Sequence, residues 1–313
     1  MSKVVVLGAT GLIGYHLCKR LSEEGHEVRG TTHNRSHPKV PNVDYIHADL
    51  TRIEHCHWAM ENGAEDVFQC AASVNGAWSA ANDPLGAIHH NTLLYTSAIQ
   101  AAADFGVKKY FSLGSTTAYP LSDYPMTEDR IFDEPLFDKY KPVAEVKRFN
   151  ERLCQLYSQK MTVVSIRPTN VYGPYDNFNF GKSHVLPALI RRVVERQDPI
   201  EVWGDGSELR DLVYVDDMVE AIIRCMKLDG YHAVNVGSGR LHSIKEMLEM
   251  CMDAEGFHPE VKFDENKPRM IPVRRVDLTK AKELLGFEAK VRLRDGIKKT
   301  ADWFRENKET ARR

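Results

Sequence analysis

The stretch Lys3-Val4-Val5-Val6-Leu7-Gly8-Ala9-Thr10-Gly11-Leu12-Ile13-Gly14 constrains the fold more than any other in the chain. A short β-branched apolar run meets glycines at GxxGxxG spacing, and an amphipathic helical pattern follows over about 12–24. Glycine lets the backbone turn tightly from strand to helix and approach a pyrophosphate. The charge of that group is then met by the unpaired N–H groups at the helix start. The pattern alone describes only a Gly-rich turn; its place after the first strand of an alternating chain is the context that a dinucleotide site requires.

The alternation is plain. Apolar runs at 27–32, 43–48, 66–72, 109–115 and 162–168 are separated by helical patterns near 85–105 and 142–158. Their hydrophobicity is continuous rather than alternating, as burial on both faces of a parallel sheet demands. The fold class expected is α/β, a doubly wound parallel sheet (Rossmann) with a smaller C-terminal lobe. Residues 1–170 read as the NADP-binding domain and 171–313 as a substrate-binding lobe, with some elements returning to the main sheet. The regularity breaks after Pro174 in Pro-Tyr-Asp-Asn-Phe-Asn-Phe-Gly-Lys-Ser-His, before a helix near 185–196 and a strand at 200–204.

The end of the second strand reads the cofactor. An acid there would bind the ribose of NAD, but the residues are Thr31-Thr32-His33-Asn34-Arg35. An arginine at this place neutralises a 2′-phosphate, which favours NADP(H) and leaves NAD(H) as the alternative. The plainer reading of Arg35 is a solvated loop cation. Asp49 is a further candidate on the adenine side.

With 42 basic and 44 acidic residues, the net charge of −2 gives no electrostatic case for nucleic acid or an anionic membrane surface. No apolar run approaches the ~20 residues of a membrane helix. The first strand starts at Lys3 and leaves no room for a signal peptide, so a cytoplasmic protein is expected. Cys18, Cys56, Cys70, Cys154, Cys225 and Cys251 lack CxxC spacing and read as reduced, mostly buried thiols. His55-Cys56-His57 points in different directions on a helix, so no metal is expected.

Gly-Ala-Thr-Gly-Leu-Ile-Gly, His-Ala-Asp-Leu (47–50), Phe-Gln-Cys-Ala-Ala (68–72), Ser-Leu-Gly-Ser-Thr-Thr-Ala-Tyr-Pro (112–120) and Ser-Ile-Arg-Pro-Thr-Asn-Val-Tyr-Gly-Pro (165–174) occur in one order across nearly the whole chain. Together they resemble the extended short-chain dehydrogenases/reductases that act on nucleotide sugars. The segments at 176–192, 202–211 and 267–287 are similar to the substrate-lobe motifs of the GDP-fucose synthase group, whose members epimerise and reduce GDP-4-keto-6-deoxymannose with NADPH.

The resemblance implies that Gly8, Thr10, Gly11, Leu12, Ile13, Gly14, His33, Asn34, Arg35, Asp49, Leu50, Ala71, Ala72, Asn91, Lys147, Pro168 and Asn170 surround the cofactor. It implies Ser115 as the hydroxyl on the substrate oxygen, Lys147 on the nicotinamide ribose, and Asn170 and His184 near cofactor and sugar. Arg192, Trp203, Arg210 and one of Arg274 or Arg275 would hold the nucleotide diphosphate, to which guanidinium forks are suited. The plainer alternatives are a core tryptophan at 203 and an Arg210 paired to Asp211. A homodimer through the helices near 85–105 and 142–158 is implied as well.

Two positions depart from the family pattern. The family carries Tyr-x-x-x-Lys, one helical turn apart, so that the ammonium lowers the pKa of the phenol. Four residues before Lys147 stands Val143. Tyr140 is the substitute at hand, but Pro142 belongs in a first helical turn and places Tyr140 on the entering loop. Thr117 stands where the GDP-fucose synthases have the epimerising cysteine, and a threonine hydroxyl is a far poorer carbon-acid base. Two classes of function therefore stand at this stage. One is an NADP(H)-dependent oxidoreductase of a nucleotide-activated keto sugar, with a nucleotide-sugar 4-epimerase as a variant. The other is a catalytically silent protein that binds NADP(H) or a nucleotide sugar.

Overall fold

The computed structural model describes residues 1–34, 39–73, 85–267 and 270–312. Seven parallel strands form the central sheet: β1 (Lys3–Leu7), β2 (Glu27–Thr32), β3 (Val43–His47), β4 (Asp66–Gln69), β5 (Lys109–Leu113), β6 (Thr162–Pro168) and β10 (Tyr231–Val236). Their spatial order is β10-β6-β5-β4-β1-β2-β3, the doubly wound α/β arrangement that the alternation implies.

The strand patterns explain the layers. Val4 and Val6 enter one core with Leu17 and Leu21 of α1 (Leu12–Glu23), Ile222 of α6 (Val215–Cys225) and Leu285 of α8 (Thr279–Leu285). Val5 and Leu7 enter the opposite core with Cys56 of α2 (Ile53–Met60), Tyr95 of α3 (Gly86–Asp104) and Cys154 of α4 (Lys141–Tyr157). These four β1 residues are fully buried, each contributing about 1.5–3 kcal/mol relative to exposure. At the edge, β3 is only half-buried, and its Asp44 and His47 face solvent.

A third core joins β7 (Asn170–Tyr172), β9 (Leu209–Tyr214), α5 (Val185–Val194), α7 (Ile244–Glu255) and α9 (Leu293–Glu306). In this half of the molecule β11 (Leu241–Ser243) pairs with β9, and β12 (Val261–Asp264) pairs with β8 (Ile200–Trp203). The chain does not stay there: β10 lies beside β6 in the main sheet, and α6 and α8 cover that sheet.

Strands four and five are shorter than the apolar runs suggest, ending at Gln69 and Leu113 rather than near 72 and 115. The chain leaves the sheet there because Ser115 caps a 3₁₀ turn over Thr116–Ala118. These ends open the crevice where strand order reverses, the ligand-binding edge of such sheets. Five of the six cysteines are buried, Cys70 is half-buried, and all are free thiols. Among the described residues no metal-ligand cluster occurs, and no helix is long and apolar enough to cross a membrane.

Candidate active site

The turn between β1 and α1 needs its glycines. Gly8 has φ of +85°, and a methyl group there would lie 2.8 Å from the Ala71 Cα. A methyl on Gly14 would lie 2.2 Å from the Gly8 carbonyl oxygen. The Gly8 N–H donates to Thr31 Oγ1 at 2.8 Å, tying the turn to the end of β2. Gly11 starts α1 with no side-chain cap, and the first turn holds no acid. A bare glycine floor against a positive helix end fits a dinucleotide pyrophosphate. Thr10, Leu12 and Ile13 complete the turn, with Leu12 packed on the third core and Ile13 on the first.

Around this cradle the expected residues divide by role. His33 and Asn34 are exposed at the end of β2; Arg35 lies outside the described residues. Asp49 accepts from the Thr51 hydroxyl at 2.7 Å, a bond that, with the nearby His33 and His90, holds its carboxyl below the usual range. Leu50 is buried in the second core. Ala71 and Ala72 are half-buried beside the glycine turn. Asn91 is buried, its amide clasping both the N–H and the carbonyl of Ser73 at 2.7 and 3.0 Å. It holds the loop after β4, and a direct bond to a ligand would cost that clasp. Pro168 closes β6 and Asn170 opens β7.

The helix that carries Lys147 begins one residue before Pro142, and Tyr140 is its N-cap at the end of a 3₁₀ turn over Asp138–Tyr140. Val143 and Lys147 are both half-buried one turn apart. The Lys147 ammonium donates to the Tyr95 hydroxyl at 2.7 Å and to the Leu113 carbonyl at 3.2 Å. Ser115 Oγ donates to Thr117 Oγ1 at 2.9 Å and accepts from the Thr117 N–H at 3.1 Å. Thr117 thus orients Ser115.

Tyr140 lies within reach of two arginine charges. Burial raises its pKa, opposed by the charges of Arg210 and Arg274. Burial in turn lowers Arg210 and takes Arg274 down to about 10, with the Arg210 charge adding to the effect. Arg274 Nη1 donates to the Tyr119 and Pro120 carbonyls at 2.8 and 3.2 Å, while its buried Nη2 has no hydrogen-bond partner among the described residues. Arg210 bonds the Leu209 carbonyl at 2.8 Å. Asp211 is occupied by the Ser238–Gly239 turn at 2.6–2.9 Å, which removes the plain Arg210–Asp211 pairing. Two desolvated guanidiniums facing one phenol make a site that favours an anion. Arg275 is exposed, so Arg274 is the member of that pair placed beside Arg210.

The remaining substrate-side candidates line up less tightly. Trp203 is 38% exposed, which rules out the core reading; Lys267 lies 5.9 Å from its ring. Arg192 lies over the Phe180 ring and donates to Gln197 at 3.1 Å. His184 caps α5 with its backbone, and desolvation lowers the pKa of its imidazole.

The NAD dependent epimerase/dehydratase family matches residues 4–237. The chain belongs to that family. Across 98% of its length it is 33% identical to the putative GDP-L-fucose synthase 2 of Arabidopsis thaliana, covering 92% of that protein. A GDP-L-fucose synthetase from Naegleria fowleri bound to NADP superposes with a TM-score of 0.85 at 25% identity, over 100% of this chain and 95% of that one. A UDP-glucose 4-epimerase from Thermus thermophilus in complex with NAD superposes with a TM-score of 0.83 at 26% identity, over 97% and 99%. These epimerase/dehydratase relatives are enzymes, and the two solved neighbours hold nicotinamide dinucleotides.

Two features of this family member escaped sequence reasoning. Tyr95 is one; its only signal is a position one turn after Asn91 on α3. The other is Arg167 with Glu151, paired at 2.7 Å at 2% side-chain exposure each. A strand arginine inside an apolar run was its signal.

Proposed function

We propose that this protein is an NADP(H)-dependent oxidoreductase that reduces a nucleotide-activated 4-keto sugar, with GDP the favoured nucleotide. The observation that carries the reading is the pair of desolvated guanidiniums, Arg210 and Arg274, beside Tyr140. Arg192 and Trp203 extend the substrate side. A diphosphate supplies the charge this pair lacks, and the resemblance to GDP-fucose synthases supplies the nucleotide. The glycine turn, Asp49, His33 and Asn34 would hold the dinucleotide, which supplies or accepts hydride when bound. Absence of an acid at 31–35 favours NADP(H) over NAD(H).

Ser115 polarises the substrate carbonyl, with Thr117 orienting its hydroxyl. Lys147 holds the nicotinamide ribose. Val143 offers no proton, so the alkoxide takes one from Ser115, Tyr140 or water; losing a positioned acid costs about 10²- to 10⁴-fold, not all turnover. Thr117 in place of a thiol leaves the sugar's other carbons unepimerised. The test is NADPH oxidation with GDP- and dTDP-4-keto-6-deoxy sugars: turnover in the wild type, its loss in Ser115→Ala, and a gain in Val143→Tyr. No oxidation with any of them counts against reduction.

A 4-epimerase that retains its cofactor uses the same groups and is separated by product analysis without net NADPH loss. Val143 specifically favours a second class of function, a silent binding protein. For that, Ser115→Ala leaves every measurable property unchanged.

The homodimer belongs to this reading too. A groove of about 580 Å³ between α3 and α4 is lined by Leu85, Ile88, Pro142, Val146 and Phe149. Leu85, Phe149 and Leu156 are exposed by 68%, 41% and 63%, and such an apolar face is the kind that a second copy covers. Native mass gives the answer, and a cytoplasmic location is expected with it.

A further inference from the structure

We infer that Tyr95 is a positioning residue for Lys147, a phenol brought from the facing helix to the ammonium that has none beside it on its own helix. This rests on the reading of Lys147 as the ligand of the nicotinamide ribose. An ammonium has three donors. In Lys147 one goes to the Tyr95 oxygen at 2.7 Å and one to the Leu113 carbonyl at 3.2 Å; the third remains for a ribose hydroxyl. Val143, one turn earlier, offers no polar atom.

The burial of Tyr95 argues that its hydroxyl is there for this contact. The residue is fully buried in the core with Leu94, Ala98 and Ile99, where phenylalanine would pack equally well. A phenolic oxygen placed there is costly unless it is hydrogen-bonded. The Lys147 ammonium supplies that hydrogen bond. The same lysine lies 5.0 Å from the ring centroid, so the ring also contacts the cation. A free lysine side chain carries large rotamer entropy, and two fixed acceptors remove that disorder before a ligand arrives. Asn91, one turn earlier on α3, clasps Ser73 in the same way. One face of α3 therefore sets both the loop after β4 and the lysine.

Tyr95→Phe keeps the ring and removes the acceptor. The measurement is the Kd of whichever of NADPH or NADH the wild type binds, beside the Kd of its adenosine-side fragment, 2′,5′-ADP or ADP. A charge-assisted bond of this kind predicts dinucleotide binding about 10- to 100-fold weaker in Tyr95→Phe. Fragment binding stays unchanged, because the fragment has no nicotinamide ribose. In a Lys147→Met background the second substitution adds nothing. Equal dinucleotide affinity in Tyr95→Phe overturns the proposal, as does equal weakening of dinucleotide and fragment, which is the mark of a loosened core. Additive losses in the double variant overturn it as well. A wild type that binds neither dinucleotide sinks the reading of the whole site instead, and is told apart because it fails before any variant is made.

Discussion

Arg167 and Arg274 are both desolvated arginines, and the difference between them separates structure from ligand binding. Arg167 meets both oxygens of Glu151 at 2.7 and 3.3 Å, and the Tyr119 hydroxyl and Glu128 carbonyl at 2.7 Å. Burial pulls its pKa down, but the Glu151 and Tyr119 charges and the hydrogen bonds to both together outweigh that and raise it. Arg274 has carbonyls alone and a second guanidinium nearby, and burial takes its pKa to about 10. The first arginine is complete as it stands; the second keeps a buried Nη2 without a hydrogen-bond partner among the described residues, which the proposed diphosphate would take. Tyr119 joins the two, its hydroxyl on Arg167 and its carbonyl on Arg274.

The largest effect expected is at the complete pair. Glu151→Ala leaves Arg167 as an uncompensated buried charge and should cost about 3–5 kcal/mol, read from urea unfolding. A loss under about 1 kcal/mol would put Arg167 in the same class as Arg274 and end the contrast.

Arg274→Met should behave in the opposite sense. Its charge in the folded state is unfavourable at every pH below about 10, so unfolding stability stays level or rises. Affinity for GDP should fall about 10- to 100-fold, the loss of one charge-assisted bond to phosphate. Unchanged GDP affinity removes the basis for the diphosphate site.

Tyr119→Phe sharpens the division, because it takes the hydroxyl and spares the carbonyl. The hydroxyl also donates to Asn235 Oδ1 at 2.7 Å. Stability should fall by about 1–3 kcal/mol, with GDP affinity unchanged. A joint loss of both would mean that the two arginine regions act as one unit.

What the sequence made legible follows the same division. Gly8, Gly11, Gly14, Ser115 and Lys147 were readable because each lies in a local pattern of strand end, turn or helix register. Pro142 marked the helix start to within one residue and left Tyr140 outside the helix, as found. Which residues Tyr140 faces was beyond local pattern, since Arg210 and Arg274 are 70 and 134 positions later. Tyr95 meets Lys147 across 52 residues, and Glu151 meets Arg167 from a helix to a strand. Such pairs are set by which elements the fold lays side by side, and no periodicity encodes them. The choice between Arg274 and Arg275 likewise needed the half-burial of one and the exposure of the other.

A buried carboxylate offers the smallest and most specific version of the contrast. Burial pushes Glu151 up, but the Arg167 charge and the bonds from Arg167, Ser165 and Tyr231 bring it below its ordinary value. Asp176 is also buried, yet its Oδ2 has no hydrogen-bond partner among the described residues, and desolvation raises its pKa from 3.8 to about 7. A raised carboxyl pKa means that the folded state holds a proton the unfolded chain releases. Its favourable contribution is full below pH 3.8, falls as the pH rises towards about 7, and is gone above that. Asp176→Asn keeps the acceptor for the Asn177 N–H, now 2.6 Å from Asp176 Oδ1, and cannot ionise. It should therefore stabilise the protein by about 1–2 kcal/mol above pH 8 and do little below pH 4, seen as a flatter curve of unfolding free energy against pH. If the variant and wild-type curves run parallel, desolvation of the Asp176 carboxyl is not what outweighs the Asn177 N–H and the Arg312 charge.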